Sequence, residues 1–234
     1  LLESVEGGER WGRYSFIGAE PRGVFHVTDG TARYTPEGGR SVALKGEGTP
    51  FFNLRSMLAD VRPVAVPGLP DFFGGAVGYI GYETVNEFES LPHPKTLPER
   101  PVSCMMLADD VIIFDNVQHT LKVAAGVRLN EYGSLDEAYR AACSRVEAIE
   151  RRLREPAPQT TECTKPDAEI SLTSNMSRKA YEDIVRRTKE YIVQGDIIQA
   201  VQSQRFRTRM PSSPLQVYRA LRYINPSPYM LFLQ

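Results

Sequence analysis

Cysteine, histidine and tryptophan are all scarce: the 234 residues hold three Cys, three His and one Trp. Cys104, Cys143 and Cys163 are an odd, widely spaced set with no Cys-x-x-Cys pair and no histidine placed to complete a zinc site. That excludes a disulfide scaffold and a zinc finger, and a reducing compartment is expected. His26, His93 and His119 have no nearby Ser, Cys or acidic pattern of a catalytic triad, so structural or surface histidines are expected. No apolar run approaches the ~20 residues of a membrane span. The start, LLESVEGGER, lacks the basic-then-apolar order of a signal peptide, and a cytoplasmic protein is expected. Charge of one sign is missing as well. With 28 basic and 29 acidic side chains the net charge is -1, which removes the basic field that non-specific nucleic-acid binding needs. The glycines of 74–81 (GGAVGYIG) give no Gly-x-Gly-x-x-Gly and no following Lys-Ser or Lys-Thr, so no nucleotide cradle is read. Small residues there let another backbone approach a buried strand.

What is present is apolar and patterned. The chain is 41% hydrophobic, with eleven Tyr and ten Phe, enough for a substantial core in one large domain or two small ones. Residues 11–18 and 22–28, separated by Ala19-Glu20-Pro21, read as the start of an antiparallel meander. In 50–61, Phe51, Leu54, Leu58 and Val61 recur at helical spacing behind Pro50, which predicts a short helix. One apolar run, 72–82, reads as a strand among loops, and 102–115 with 119–127 reads as a hairpin. In 134–153 an apolar stripe of Leu135, Ala138, Ala142, Val146, Ile149 and Leu153 follows the N-cap candidate Ser134 and ends in basic residues, predicting a helix. Residues 155–168 lose all periodicity and gain Pro, Thr and charge, the signature of a linker. Beyond it, a helix is predicted over 178–194 with Gly195 as its C-cap, then a strand over 196–209, a helix over 214–224 behind Ser213, and a final strand over 229–234. Strands grouped early and alternating with helices late predict an α+β fold, with helices outside antiparallel sheets. Leu1 is not Met and Gln234 follows an apolar run with no polar tail, so a fragment cut at both ends is expected.

Candidate chemistry read from residues alone is thin. Asp109, Asp110 and Asp115 flank a hydrophobic strand and a hairpin, where aspartate serves turns or solvent more readily than a metal. Arg205, Arg207 and Arg209 alternate along the strand predicted there, so they share a face that either binds an anion or keeps an edge soluble.

Four segments carry a resemblance that goes further: LLESVEGGERWGRYSFIG at 1–18, GGAVGYIGYE at 74–83, QGDIIQAVQSQRF at 194–206 and NPSPYMLFL at 225–233. Together, in this order and at these separations, they resemble component I of the anthranilate synthases, in the chorismate-utilising enzyme family. The resemblance implies an α+β fold of orthogonally packed antiparallel sheets with helices on the outer faces, here incomplete. It divides the chain into an N-terminal region at 1–154, the linker at 155–168, and at 169–234 the start of the chorismate-binding region. It implies conversion of chorismate and ammonia to anthranilate and pyruvate with Mg²⁺, a glutamine amidotransferase subunit that supplies the ammonia in a hetero-oligomer, and feedback inhibition by L-tryptophan. Family chains are roughly twice this length, and the resemblance puts their magnesium-binding glutamates and catalytic histidine beyond Gln234.

The tryptophan contacts that the resemblance implies fall on Ser4, Pro228, Tyr229 and Met230. Pro, Tyr and a polarisable Met sulfur suit a flat indole slot, with Glu3 offered to the ammonium and Arg13 to the carboxylate on charge alone. Isochorismate and salicylate synthases resemble the 194–206 segment but carry a lysine where this chain has Gln199. A lysine of lowered pKa can activate water and an amide cannot, so Gln199 points to ammonia as the nucleophile. Gln202 departs from the family pattern, which is apolar or proline at that position. Two alternatives stay open: aminodeoxychorismate synthase component I, which shares Gln199 but usually lacks the Asn-Pro-Ser-Pro-Tyr-Met pattern, and a non-catalytic amino-acid-binding regulatory module.

Overall fold

Along 23–28 burial alternates residue by residue, with Gly23, Phe25 and Val27 inside, as a strand covered on one face requires. In the computed structural model, which describes residues 1–5, 12–45, 48–59, 61–90, 100–157, 170–210 and 212–234, this strand is the middle of a five-stranded antiparallel sheet. Its members are β3 (Gly23–Thr28), β4 (Thr31–Pro36), β5 (Val42–Ala43), β6 (Gly75–Ile80) and β7 (Ser103–Ala108), in the order β5-β4-β3-β7-β6. Asp29 and Gly30 both have positive φ, 50° and 69°, the two-residue turn that matches strand twist. Helix α1 (Pro50–Ala59) lays Leu54 and Met57 on Phe25, Val27 and Ala32. Met105 joins that core, whereas its neighbour Met106 lines a cavity on the opposite face.

The second sheet has the order β12-β1-β2-β8-β9, built from β1 (Leu2–Glu3), β2 (Tyr14–Gly18), β8 (Asp110–Asp115), β9 (Thr120–Ala125) and β12 (Met230–Leu231). Every pairing in it is antiparallel. Helix α2 (Leu135–Arg154) packs against β9 and buries Ala138. The Ser134 hydroxyl accepts from the Glu137 amide at 3.2 Å, and the Glu137 carboxylate accepts from the Gly133 amide at 2.9 Å, a reciprocal cap. Leu135 stands exposed at the start of the expected stripe.

Two expectations are corrected here. Strands β2 and β3 do not form a meander: β2 pairs with β1 and β8, β3 with β4 and β7. The run 102–115 is not one strand but β7 and β8, which lie in different sheets on either side of Asp109. Buried positions fall on odd numbers both before the break (Ser103, Leu107) and after it (Val111, Ile113, Asp115), so periodicity carries no mark of the crossing. The two corners are tied together. The Arg22 amide donates to the Leu107 carbonyl at 2.9 Å, and the Arg22 guanidinium holds Asp109 at 3.3 Å and Glu131 more closely.

The chain divides into two compact units, Leu1–Ala157 with Asn225–Gln234, and Pro158–Ile224. The last ten residues, grouped by sequence with 169–234, count with the first unit because β12 pairs with β1. Most of the 155–168 linker, together with His93 and Cys163, lies outside the described residues. The second unit holds α3 (Arg178–Gln194), α4 (Pro214–Ile224) and a two-stranded pair, β10 (Thr173–Ser174) and β11 (Phe206–Arg207). Ser177 caps α3, and Gly195 closes it at φ 85°, a left-handed value that favours glycine. The strand expected over 196–209 shrinks to Phe206–Arg207. Arg205 and Arg209 therefore lie outside it, and the shared basic face does not form, although all three arginines are exposed.

Candidate functional site

Strands β1 and β12 lie side by side although they are separated by nearly the whole chain. Leu2 faces Leu231 and Glu3 faces Met230. The Val5 amide donates to the Ser227 carbonyl at 3.1 Å, and the Phe232 amide to the Leu1 carbonyl at 2.9 Å. The 1–5 and 227–232 segments thus form one edge of the second sheet. Directly opposed residues of an antiparallel pair share a face, so the Glu3 carboxylate and the Met230 thioether sit together. Ser4 follows β1 and is half-buried, Pro228 and Tyr229 are exposed, and Met230 is buried. All four residues proposed from sequence for tryptophan are therefore brought to one sheet edge.

An apolar cavity of about 50 Å³ lies between the two five-stranded sheets, lined by Leu2, Phe16, Phe72, Met106, Val111 and Leu233 among others. Phe16 and Phe72 meet edge to face at 5.3 Å. The volume has room for about four water-sized groups, too little for a tryptophan, and Ser4, Pro228, Tyr229 and Met230 do not line it.

Arg13 is committed elsewhere than to a ligand carboxylate. Its guanidinium donates to Asp115 from Nη2 at 2.9 Å and from Nε at 3.3 Å, and stacks 4.8 Å over the Tyr14 ring. The Asp115 side chain is fully buried, with Lys122 at 3.9 Å. Its Oδ1 also accepts from the Val117 and Gln118 amides at 3.2 and 3.0 Å, which fixes the β8–β9 turn. The turn role was legible in the sequence; the burial was not. The Arg13 hydrogen bonds, helped by the two amides and opposed by burial, hold the Asp115 carboxyl down at about 2, against an ordinary value near 4. A depressed folded pKa means the clamp contributes fully above about pH 4 and is lost as pH falls toward 2. In urea unfolding, parent minus Asp115→Asn stability is expected to be largest near neutrality and to shrink steadily below about pH 4. A gap independent of pH would remove the clamp from the account. Asp110, beside Arg145 at 3.4 Å, is pushed upward by burial despite that cation.

In the second unit Gln199 lies exposed in an irregular stretch after α3, not on a strand. That stretch is fastened by side chains. The Gln202 amide donates to the Thr188 hydroxyl at 2.7 Å, Gln204 to the Ser174 hydroxyl at 2.7 Å, and the Arg205 backbone to the Asn175 side chain at 2.9 Å. His26 is half-buried in β3 and His119 exposed at the β8–β9 turn, while Cys104 and Cys143 are free thiols. Among the described residues no three His, Cys, Asp or Glu side chains converge on a point fit for a metal ion, and no helix is long and apolar enough to cross a membrane.

The family model described as chorismate binding enzyme matches residues 5–234. Anthranilate synthase component 1 of Acetivibrio thermocellus is 35% identical over 241 residues, covering 100% of this chain and 48% of the relative. That of Pseudomonas aeruginosa is 37% identical over 246 residues, covering 99% and 47%. The crystal structure of anthranilate synthase component I from Streptococcus pneumoniae superposes with a TM-score of 0.69 at 21% identity, covering 91% of this chain and 46% of that one; the two share a fold. The chain spans about half the length of the curated relatives it matches. With mixed helices and antiparallel sheets as expected, and a family match running from Val5 to Gln234, the chain belongs to the chorismate binding enzyme family.

Proposed function

We propose that the chain is the N-terminal part of an anthranilate synthase component I, a cytoplasmic enzyme of tryptophan biosynthesis. The whole protein adds ammonia to chorismate and releases anthranilate and pyruvate. The observation that carries the reading is the β1–β12 pairing, which sets Glu3 against Met230, in a chain whose relatives are named anthranilate synthase component 1. L-tryptophan is the inhibitor bound at this edge. Pro228, Tyr229 and Met230 offer the apolar slot for its indole, and Ser4 with Glu3 offers the polar groups for its ammonium end. Arg13, paired with Asp115, takes no part in that scheme. Gln199, an amide that donates and accepts hydrogen bonds but takes no proton, leaves water unactivated and so favours ammonia.

Magnesium is the cofactor of the whole reaction in this reading. The described residues do not make a site for it, so its ligands would come from the half of the relatives' length not spanned here. A glutamine amidotransferase subunit is the proposed source of ammonia and makes the enzyme a hetero-oligomer. The test takes the full-length protein and the 234-residue chain side by side, with chorismate, ammonium and Mg²⁺, and follows anthranilate fluorescence. Product is expected from the former and none above a no-protein control from the latter. A silent full-length protein overturns the reading, and an active short chain overturns the placement of the magnesium ligands.

A further inference from the structure

We infer that the Gln202–Thr188 hydrogen bond is the anchor that positions the Gln199 segment, which makes Gln202 and Thr188 positioning residues. The inference rests on the proposed role of Gln199 in nucleophile choice. Residues 197–205 belong to no helix or strand, and the backbone bond from the Asn175 amide to the Arg205 carbonyl, at 3.1 Å, ties down only the far end. Three side-chain bonds hold the stretch, and two of them, donated by the Gln204 side chain to Ser174 and by the Arg205 amide to the Asn175 side chain, fasten the far end to 174–175. Nearest to Gln199, only three residues on, Gln202 is half-buried and reaches across to α3.

The acceptor there is itself fixed. The Thr188 hydroxyl donates to the Ile184 carbonyl one turn back at 2.9 Å, a rotor-locking bond that threonine makes in helices. With its proton aimed at Ile184, the Thr188 oxygen presents its lone pairs to the Gln202 Nε2 at 2.7 Å. The result is a relay from helix backbone to hydroxyl to amide to the segment that carries Gln199. An apolar residue or proline, which the family resemblance leads one to expect at 202, would hold such a segment by packing. This chain uses a polar pair in its place. Gln202 and Thr188 therefore form a matched unit: the hydroxyl is needed because the amide is there.

The matched unit dictates the test. Thr188→Val keeps the shape and removes the acceptor, leaving a half-buried amide without its partner, while replacing both partners with apolar groups of similar shape is close to neutral. In the full-length protein, Thr188→Val and Gln202→Leu are each expected to lower kcat for ammonia-dependent anthranilate formation about tenfold, the scale of loss when a reacting arrangement is displaced. KM for chorismate should stay within about threefold. The double variant Thr188→Val/Gln202→Leu should recover most of the loss, and Thr188→Ser, which retains the hydroxyl, should match the parent. Hydrogen exchange at amides 198–203 should quicken in Thr188→Val and return toward the parent in the double variant. Unchanged exchange in Thr188→Val, or a double variant no better than the worse single one, overturns the inference. If Gln202→Leu does not fold, the Thr188→Val and Thr188→Ser pair decides alone. A parent protein that makes no anthranilate overturns the functional reading instead, and the exchange measurement still reports on the anchor.

Discussion

In the full-length protein, Met230→Thr and Ser4→Phe are each expected to raise the tryptophan concentration needed for half-inhibition by about tenfold or more, with uninhibited turnover within about twofold of the parent. Met230 is buried opposite Glu3, so shortening it to a polar Thr removes apolar contact worth ~1.5–3 kcal/mol where it is fully desolvated, or roughly ten- to a hundredfold in affinity. Ser4 is half-buried, and a phenyl ring there would stand in the way of an indole bound, as proposed, at this edge. The two act on different segments of the same edge, so agreement between them tests the site and not one side chain. Turnover is expected to be spared because, in the proposed reading, this edge serves the inhibitor alone, and an inhibitor's coupling energy is lost when its binding is lost. Inhibition curves on parent and variants check this. Parent-like sensitivity in both would move tryptophan elsewhere.

How far the sequence carried depends on the range of the interaction. Local signals were legible: Ser134 and Ser213 as caps, Gly195 at positive φ, the amphipathic runs of α2 and α3. Each is decided within a few residues. Partner choice between strands was not legible. The 102–115 run is uniform in character across a break at which the chain changes sheets, and β2 and β3, neighbours in sequence, take partners some ninety residues away. The strands β1 and β12 are two residues each; the run 229–234 reads as a strand, but nothing within it names β1 as its partner. Only the family resemblance placed LLES beside the Pro-Tyr-Met segment, and the register of Glu3 against Met230 agrees with it. Charge arguments fared worst. Arg13 was offered to a ligand on charge alone, whereas its partner Asp115 is 102 residues on. The clasp at Arg22, with Asp109 and Glu131, was invisible for the same reason.

One sequence inference concerned space, not pairing, and it leads to the largest expected loss of stability. The glycines of 74–81 were read as room for a neighbouring backbone, and β6 does lie hard against β7. A Cβ built on Gly78 comes within 1.9 Å of the Cys104 carbonyl oxygen and 2.8 Å of the Met105 Cα, and one on Gly81 comes within 2.7 Å of the Val102 carbonyl oxygen. The Cys104 and Met105 atoms are main chain of β7, which also pairs with β3 and its buried Phe25 and Val27, and the Val102 oxygen is main chain just before it, so none can yield as a side-chain tip would. The edge strand must move instead, and the bonds that run from Gly75↔Ala108 to Ile80↔Ser103 move with it. Gly78→Ala is therefore expected to destabilise the folded protein by about 3 kcal/mol or more, the upper end for forced overpacking. Ordinarily Gly→Ala in a strand gains ~0.5–1 kcal/mol from reduced backbone entropy, so the sign itself discriminates. Urea unfolding of parent, Gly78→Ala and the control Ala76→Gly measures it. The control should lose no more than about 1 kcal/mol, since it removes a small side chain without displacing β7. A Gly78→Ala protein as stable as the parent would mean that β6 and β7 are farther apart than the 1.9 Å approach implies.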